Sequence, residues 1–266
     1  MKIFKHFMIK SVLIGLATLF ILFIYMFLNQ NNYIYFPDNQ DFDNCPGFAD
    51  SERVRVNDTR MYYLKDEYAD TAVVYYHGNA GSACGRSFIK DTLKDRGVSL
   101  LFVEYAGYSN DTRRPSRKLI LKDVENVINF IDRAGYERKF LMGTSLGTAV
   151  VAYHQSIQKP DKVVLLAPFD KLSEVGKIHY PFLPVSLLLR EEYDTAGWLK
   201  DHTGEILIVH GALDEIVPLE LAMRLYEAIP SDNKNLITVE GASHNDLLLR
   251  PEVWETVTSF LGLKER

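Results

Sequence analysis

Three short stretches of this chain carry residue types able to transfer an acyl group. Residues 141–147 read Leu-Met-Gly-Thr-Ser-Leu-Gly, so Ser145 has a glycine two positions before it and another two after it, at the end of an apolar run. Gly and Ser are common in turns, and the pattern alone is weak. It gains meaning with a base, because a serine hydroxyl is a poor nucleophile until something takes its proton. The seven histidines separate by position. His6 lies in an amino-terminal flank, His154 in a helix-like stretch, His179 in an irregular one and His202 in a loop before a strand. His77 and His210 close strands before Gly78 and Gly211. His244, in Gly241-Ala-Ser-His-Asn245, follows the last strand-like run and alone comes late enough for the order serine, acid, histidine.

The acid should follow a strand between these two. Glu205-Ile-Leu-Ile-Val-His-Gly-Ala-Leu-Asp214 places Asp214 just beyond a strand and its glycine turn, where a carboxylate would hold the imidazole's tautomer and stabilise the imidazolium. Asp170, after Ala167-Pro168-Phe169, is the competing position, whereas Glu215 and Asp246 read as solvated. Negative charge developing on a substrate oxygen needs amide donors. The amide of Leu146, next after Ser145, is one; the loop His77-Gly-Asn-Ala-Gly-Ser82 is the source expected for the other.

Such groups need a scaffold, and the chain alternates strand-like with helix-like stretches. Val54–Val56 and Met61–Leu64 read as a hairpin about Asn57-Asp58. Thr71–Tyr76, Val98–Tyr105, Lys139–Met142, Lys162–Leu166, Glu205–Val209 and Asn235–Val239 read as strands. Between and after them, Ser87–Arg96, Arg117–Arg133, Leu146–Gln158, Leu219–Ala228 and Pro251–Leu261 read as helices. This alternation predicts an α/β fold with a mostly parallel sheet, helices on both faces, and ligands beyond the strands' carboxyl ends. Ser145 then sits in a sharp strand-to-helix turn, and its glycine neighbours let strand and helix approach.

With 266 residues and 47% hydrophobic residues, the chain can bury one large core. A net charge of −5 gives no general attraction for nucleic acid. The one basic cluster, Arg113, Arg114, Arg117 and Lys118, reads as a solvated helix start. From Ser11 to Leu28 no charge interrupts an apolar run long enough to cross a bilayer, while Lys2, Lys5 and Lys10 precede it. No small-residue cleavage site follows, so a retained signal anchor is expected, with residues 1–10 cytoplasmic and the catalytic domain extracytoplasmic. Residues 29–50, rich in Asn, Asp and Gly, read as a linker with a reach of roughly 25 Å. Within it, Tyr33-Ile-Tyr-Phe36 suits the membrane interface or the domain surface. Cys45 and Cys84 allow a single pairing, but Cys45's place in the linker favours two unpaired thiols.

Taken together, His77-Gly-Asn-Ala-Gly, Gly143-Thr-Ser-Leu-Gly147, His210-Gly-Ala-Leu-Asp-Glu-Ile-Val-Pro218 and Gly241-Ala-Ser-His244 resemble the α/β-hydrolase superfamily. The likeness is to its membrane-anchored branch of serine esterases and thioesterases, with a serine-aminopeptidase-like domain, and covers the chain from about Val54 onward. It implies an eight-stranded sheet in a domain of residues 51–266, with a small cap insertion at about 171–204. It also implies Ser145, Asp214 and His244 as the triad, with the amides of Asn79 and Leu146 as oxyanion donors. Glu104-Tyr-Ala-Gly-Tyr-Ser109 departs from the branch's usual Asp-Tyr-Arg-Gly-Tyr-Gly in lacking the arginine and the last glycine.

The function expected is a serine hydrolase of esters or thioesters at a membrane, acting on a lipid or an acylated protein, with no cofactor or metal required by the chemistry. Tyr180–Leu189 is apolar enough either to line an acyl-binding cavity or to pack as a core helix. Two rivals stand beside this expectation. An aminopeptidase would need acidic groups to hold an ammonium, for which Glu191, Glu192 and Asp194 are the candidates. A non-catalytic partner-binding protein could use the same scaffold.

Overall fold

The run Thr71-Ala-Val-Val-Tyr-Tyr76 is buried at every position, as a strand covered on both faces must be. It is the third of eight strands in one sheet, in a computed structural model that describes residues 2–265. Met1, the first residue of the basic flank, and Arg266 lie outside the described residues. In chain order the strands are β1 Glu52–Val56, β2 Thr59–Leu64, β3 Thr71–Tyr76, β4 Ser99–Glu104, β5 Arg138–Thr144, β6 Lys162–Leu166, β7 Glu205–Gly211 and β8 Lys234–Val239. Their spatial order is β8-β7-β6-β5-β3-β4-β2-β1. β2 pairs antiparallel with β1 and β4, and every other neighbouring pair is parallel.

Side chains alternate across this sheet and fill two layers. Val74, Tyr76, Leu101 and Val103 face one side and meet α3 (Arg117–Ala134) and α4 (Leu146–Ile157). Val73, Tyr75 and Phe102 face the other and meet α2 (Ser87–Leu93) and the carboxyl-terminal α8 (Pro251–Leu261). The spacing read for α3 holds: Val124, Val127, Ile128 and Ile131 are buried, Ser116 Oγ caps the first turn, and Gly135 stops the helix at φ 76°. The basic cluster at its start is paired as well as solvated. Arg113 binds Asp111, and Arg117 Nη1 donates to Glu192 O at 3.0 Å. The insertion after β6 is less irregular than expected. It holds α5 (Leu172–His179), a single turn at Val185–Leu188 and α6 (Thr195–Leu199), with α7 (Leu219–Ala228) following β7.

Two expectations are corrected at the amino-terminal side. Residues 29–50 are packed onto the domain instead of forming a free linker: Tyr35, Phe42 and Phe48 are all at most 3% exposed. Phe36–Pro37 pairs in parallel with Ala80–Gly81, and Phe48 stacks on Tyr62 with ring centroids 4.1 Å apart. The polar composition concealed three aromatic anchors, each able to contribute roughly 1.5–3 kcal/mol when buried. Cys45, in the same buried cluster as Phe42 and Phe48, forms a disulfide with Cys84 across a Cα separation of 5.9 Å, so the thiols are not unpaired.

α1 spans Lys2–Asn29 and is, among the described residues, the one helix long and apolar enough to cross a membrane. Its 28 residues extend about 42 Å.

His154 in α4 gives the fold a predictable pH response. It is 1% exposed, and its Nδ1 accepts from Tyr76 Oη at 2.8 Å. Burial pushes its pKa from the ordinary 6.5 down to about 4. Between those values the unfolded chain binds a proton that the folded chain refuses, so stability falls as pH drops from 6.5 towards 4. His154→Gln keeps an acceptor for Tyr76 and removes the titration. Urea midpoints measured across this window should fall less in the variant than in the parent, and identical slopes would assign the acid sensitivity elsewhere.

Candidate active site

The turn from β5 into α4 holds Ser145 at φ 53° and ψ −120°, a conformation costly for any residue with a side chain. Local bonds maintain it. Ser145 N donates to Leu166 O at 2.8 Å on the neighbouring strand, and Ser145 O accepts from Thr148 N at 2.9 Å. The flanking glycines are required by contact. A Cβ on Gly143 would lie 2.3 Å from Gly147 O, and one on Gly147 would lie 2.1 Å from Tyr76 O. The approach of α4 to the sheet therefore dictates the spacing seen in the sequence.

The structure brings Ser145, His244 and Asp214 together. His244 Nε2 stands 3.1 Å from Ser145 Oγ, and His244 Nδ1 stands 2.6 Å from Asp214 Oδ2. Asp214 Oδ1 accepts from Ile216 N at 3.0 Å and Val217 N at 2.7 Å, which fixes the carboxylate with its second oxygen on the imidazole. With Nδ1–H donating to Asp214, Nε2 is free to accept the serine proton. The loops carrying Asp214 and His244 pack tightly, since a Cβ on Gly211 would lie 2.4 Å from Ala242 O and Leu213 N donates to Ala242 O at 2.9 Å. Asp170, the competing acid, instead pairs with Arg224 at 3.1 Å.

Two supporting residues escaped the sequence reading. Asp246, expected only to be solvated, orders the histidine loop by accepting from Ser243 N at 2.6 Å and Ser243 Oγ at 2.9 Å. These bonds hold its carboxyl below the usual carboxylate range. His210 is fully buried with Nε2 3.8 Å from Asp214 Oδ2, and burial pushes its pKa down, which favours a neutral ring behind the acid. The signal for Asp246 was its position two residues after His244; for His210 it was the four-residue interval to Asp214.

Beside Ser145, Leu146 opens α4, so its amide lacks an intrahelical acceptor by position. Asn79 is held from three directions. Its carbonyl accepts from Phe36 N at 3.0 Å and Tyr108 Oη at 2.8 Å, and its Nδ2 donates to Ile34 O at 3.0 Å. The atypical stretch after β4 supports this loop. Ser109 takes φ 45°, the conformation a glycine would adopt easily, and its Oγ donates to buried Glu104 at 2.7 Å. Tyr105 Oη donates to His77 O at 2.8 Å.

A cavity of about 490 Å³ runs from Ser145, Leu146 and Asn79 beneath the insertion. Tyr180, Leu183, Val185, Leu188 and Leu189 line it, so this stretch borders a cavity and is not a core helix. The acidic residues considered for an ammonium site are engaged elsewhere. Glu191 accepts from Tyr35 Oη at 2.7 Å, Glu192 from Ser173 N at 3.1 Å and Asp194 from Gly197 N at 2.9 Å. Among the described residues, no cluster of three or more His, Cys, Asp or Glu side chains is arranged to hold a metal ion.

No protein-family model matches the chain. Individual proteins do. It is 30% identical over 207 residues to an uncharacterised membrane protein of Saccharomyces cerevisiae, covering 74% of this chain and 73% of that one. An uncharacterised protein of Mycobacterium tuberculosis is 29% identical over 234 residues, covering 84% and 83%. The lysophosphatidylserine lipase ABHD12 of Bos taurus is 26% identical over 223 residues, covering 73% of this chain but only 56% of its own length. Among solved structures, a Pyrococcus furiosus esterase superposes with a TM-score of 0.67 at 19% identity, covering 86% of this chain and 97% of that one. The ferulic-acid complex of Est1E from Butyrivibrio proteoclasticus superposes at 0.64 with 18% identity, covering 79% and 98%.

Proposed function

Since the chain belongs to the α/β-hydrolase superfamily, we propose that it is a membrane-anchored serine hydrolase that cleaves carboxylic esters or thioesters through an acyl-enzyme. The observation that carries this reading is the hydrogen-bonded line Asp214–His244–Ser145 at one end of an apolar cavity. Ser145 Oγ attacks the acyl carbonyl while His244 Nε2 takes its proton. The amides of Leu146 and Asn79 donate to the oxyanion, and His244 then protonates the leaving alcohol or thiol. Water, deprotonated by the same imidazole, releases the acid and restores the serine.

The anchor is Ser11–Leu28, with residues 1–10 on the cytoplasmic side and the catalytic domain, residues 51–266, across the membrane. The lysines before the span support that orientation, and the Cys45–Cys84 disulfide suits an oxidising compartment. A membrane lipid or acylated protein is the substrate class, supported by the apolar cavity and by the lipase named among the relatives. The commitments of Glu191, Glu192 and Asp194 argue against an aminopeptidase, which would need a carboxylate free in the cavity.

A fluorophosphonate probe tests the reading directly. One equivalent should attach to the peptide containing Ser145 in the folded, full-length protein, and labelling should block ester turnover in proportion. A folded protein that remains unlabelled, or that is labelled elsewhere while keeping full turnover, would refute it.

A further inference from the structure

The cavity beside Ser145 is not enclosed by the catalytic domain alone. Met26 and Phe27, in the last turn of α1, stand in its wall, followed by Gln30, Tyr33 and Ile34. This contact is built through a buried polar joint. Gln30 is 7% exposed; its Oε1 accepts from Arg190 N at 2.7 Å and Glu191 N at 3.3 Å, and its Nε2 donates to Phe27 O at 2.8 Å and Leu188 O at 3.3 Å. Arg190 adds a bond to Phe27 O at 3.0 Å and lies over the Phe27 ring at 4.6 Å. A buried amide satisfied from both partners fixes helix and insertion relative to each other, because separating them leaves several polar groups without partners.

The depth of this joint is set by the apolar span. Met26 precedes Leu28, the end of that span, by about 3 Å of helix rise, which puts the cavity wall at the hydrocarbon boundary. In the same insertion, Phe182 and Leu187 are 94% and 85% exposed. Two large apolar side chains presented to water would be costly, whereas at the edge of a bilayer they meet lipid.

We infer that the last turn of the anchor helix is a specificity-determining wall of the acyl site, and that the acyl chain of a membrane-resident ester reaches Ser145 by sliding from the bilayer between α1 and the insertion. The inference rests on the esterase reading above and adds a role for the anchor: it shapes the site as well as holding the enzyme at its substrate. Short water-borne esters do not fill the cavity as far as Met26. Long acyl chains do.

The test uses the full-length protein in phosphatidylcholine vesicles, with p-nitrophenyl butyrate offered from water and p-nitrophenyl palmitate carried in the bilayer. Met26→Trp fills the wall and should lower the palmitate-to-butyrate ratio of kcat/KM about ten-fold or more. Ile14→Trp, in the middle of the span, should change neither rate. Phe182→Glu should slow palmitate and spare butyrate. A palmitate-to-butyrate ratio unchanged by Met26→Trp would overturn the wall, and palmitate rates unchanged by Phe182→Glu would overturn the bilayer route. Should Met26→Trp lose both activities, Met26→Ala decides: widening the wall must shift the ratio, and an unshifted ratio overturns the inference. Ser145→Ala separates the two levels of argument. If it keeps both activities the esterase reading falls, and if it loses both while the ratio ignores Met26, only the anchor inference falls.

Discussion

Ser145→Ala is expected to abolish fluorophosphonate labelling and to slow short-chain ester turnover by about 10⁴-fold or more, with the fold intact. The size follows from the role proposed for the hydroxyl: without it no acyl-enzyme would form, and the amides of Leu146 and Asn79, the proposed oxyanion donors, would act only on direct attack by water. Substitution by alanine keeps the Cβ at φ 53°, so the backbone strain of the turn remains. Ser145→Gly should be equally inactive yet more stable than Ser145→Ala, by about 1 kcal/mol, because it removes the side chain that makes this conformation costly. Calorimetry or urea melts of the two variants read that difference. Undiminished turnover in a folded Ser145→Ala protein would remove Ser145 from the mechanism.

What the sequence disclosed and what it concealed divide along a physical line. The Ser145 turn was legible because its requirements are local: two glycines at fixed spacing admit α4 against β3 and β5, and nothing distant has to be known. Asp214 and His244 were legible because parallel strands end at one edge, which places residues just beyond β7 and β8 near the turn after β5. The docking of residues 29–50 was not legible. It depends on Tyr35, Phe42 and Phe48 finding pockets far away in the chain, and their Asn- and Asp-rich surroundings follow the composition of a linker. The disulfide follows from that docking and so was concealed with it. Likewise Glu191 reads as a free acid in sequence, yet Tyr35 Oη, from the same docked segment, occupies its carboxylate. A flexible tether would let the candidate site wander. Gln30, clamped to Arg190 and Leu188, instead holds it at a set distance from the span.

Asp214→Asn should damage turnover about as severely, by roughly 10⁴-fold, while Asp170→Asn should leave it within about two-fold. The hydrogen bonds around Asp214 explain the severity. Its Oδ1 is held by two backbone donors, Ile216 N and Val217 N, and its Oδ2 faces His244 Nδ1. An asparagine can keep both backbone bonds only by placing its carbonyl oxygen on them, which turns its NH₂ towards Nδ1. The imidazole must then accept at Nδ1 and carry its proton on Nε2, facing Ser145 Oγ as a donor where a base is needed. The site is left with its geometry intact and its proton in the wrong place. Asp170 has no such duty, since its partner Arg224 is a half-exposed cation on α7 and a surface pair contributes little. Steady-state kinetics on p-nitrophenyl butyrate, with circular dichroism to confirm folding, ranks the two variants. A more severe loss in Asp170→Asn than in Asp214→Asn would move the orienting role to Asp170 and contradict the 2.6 Å contact on which the assignment rests.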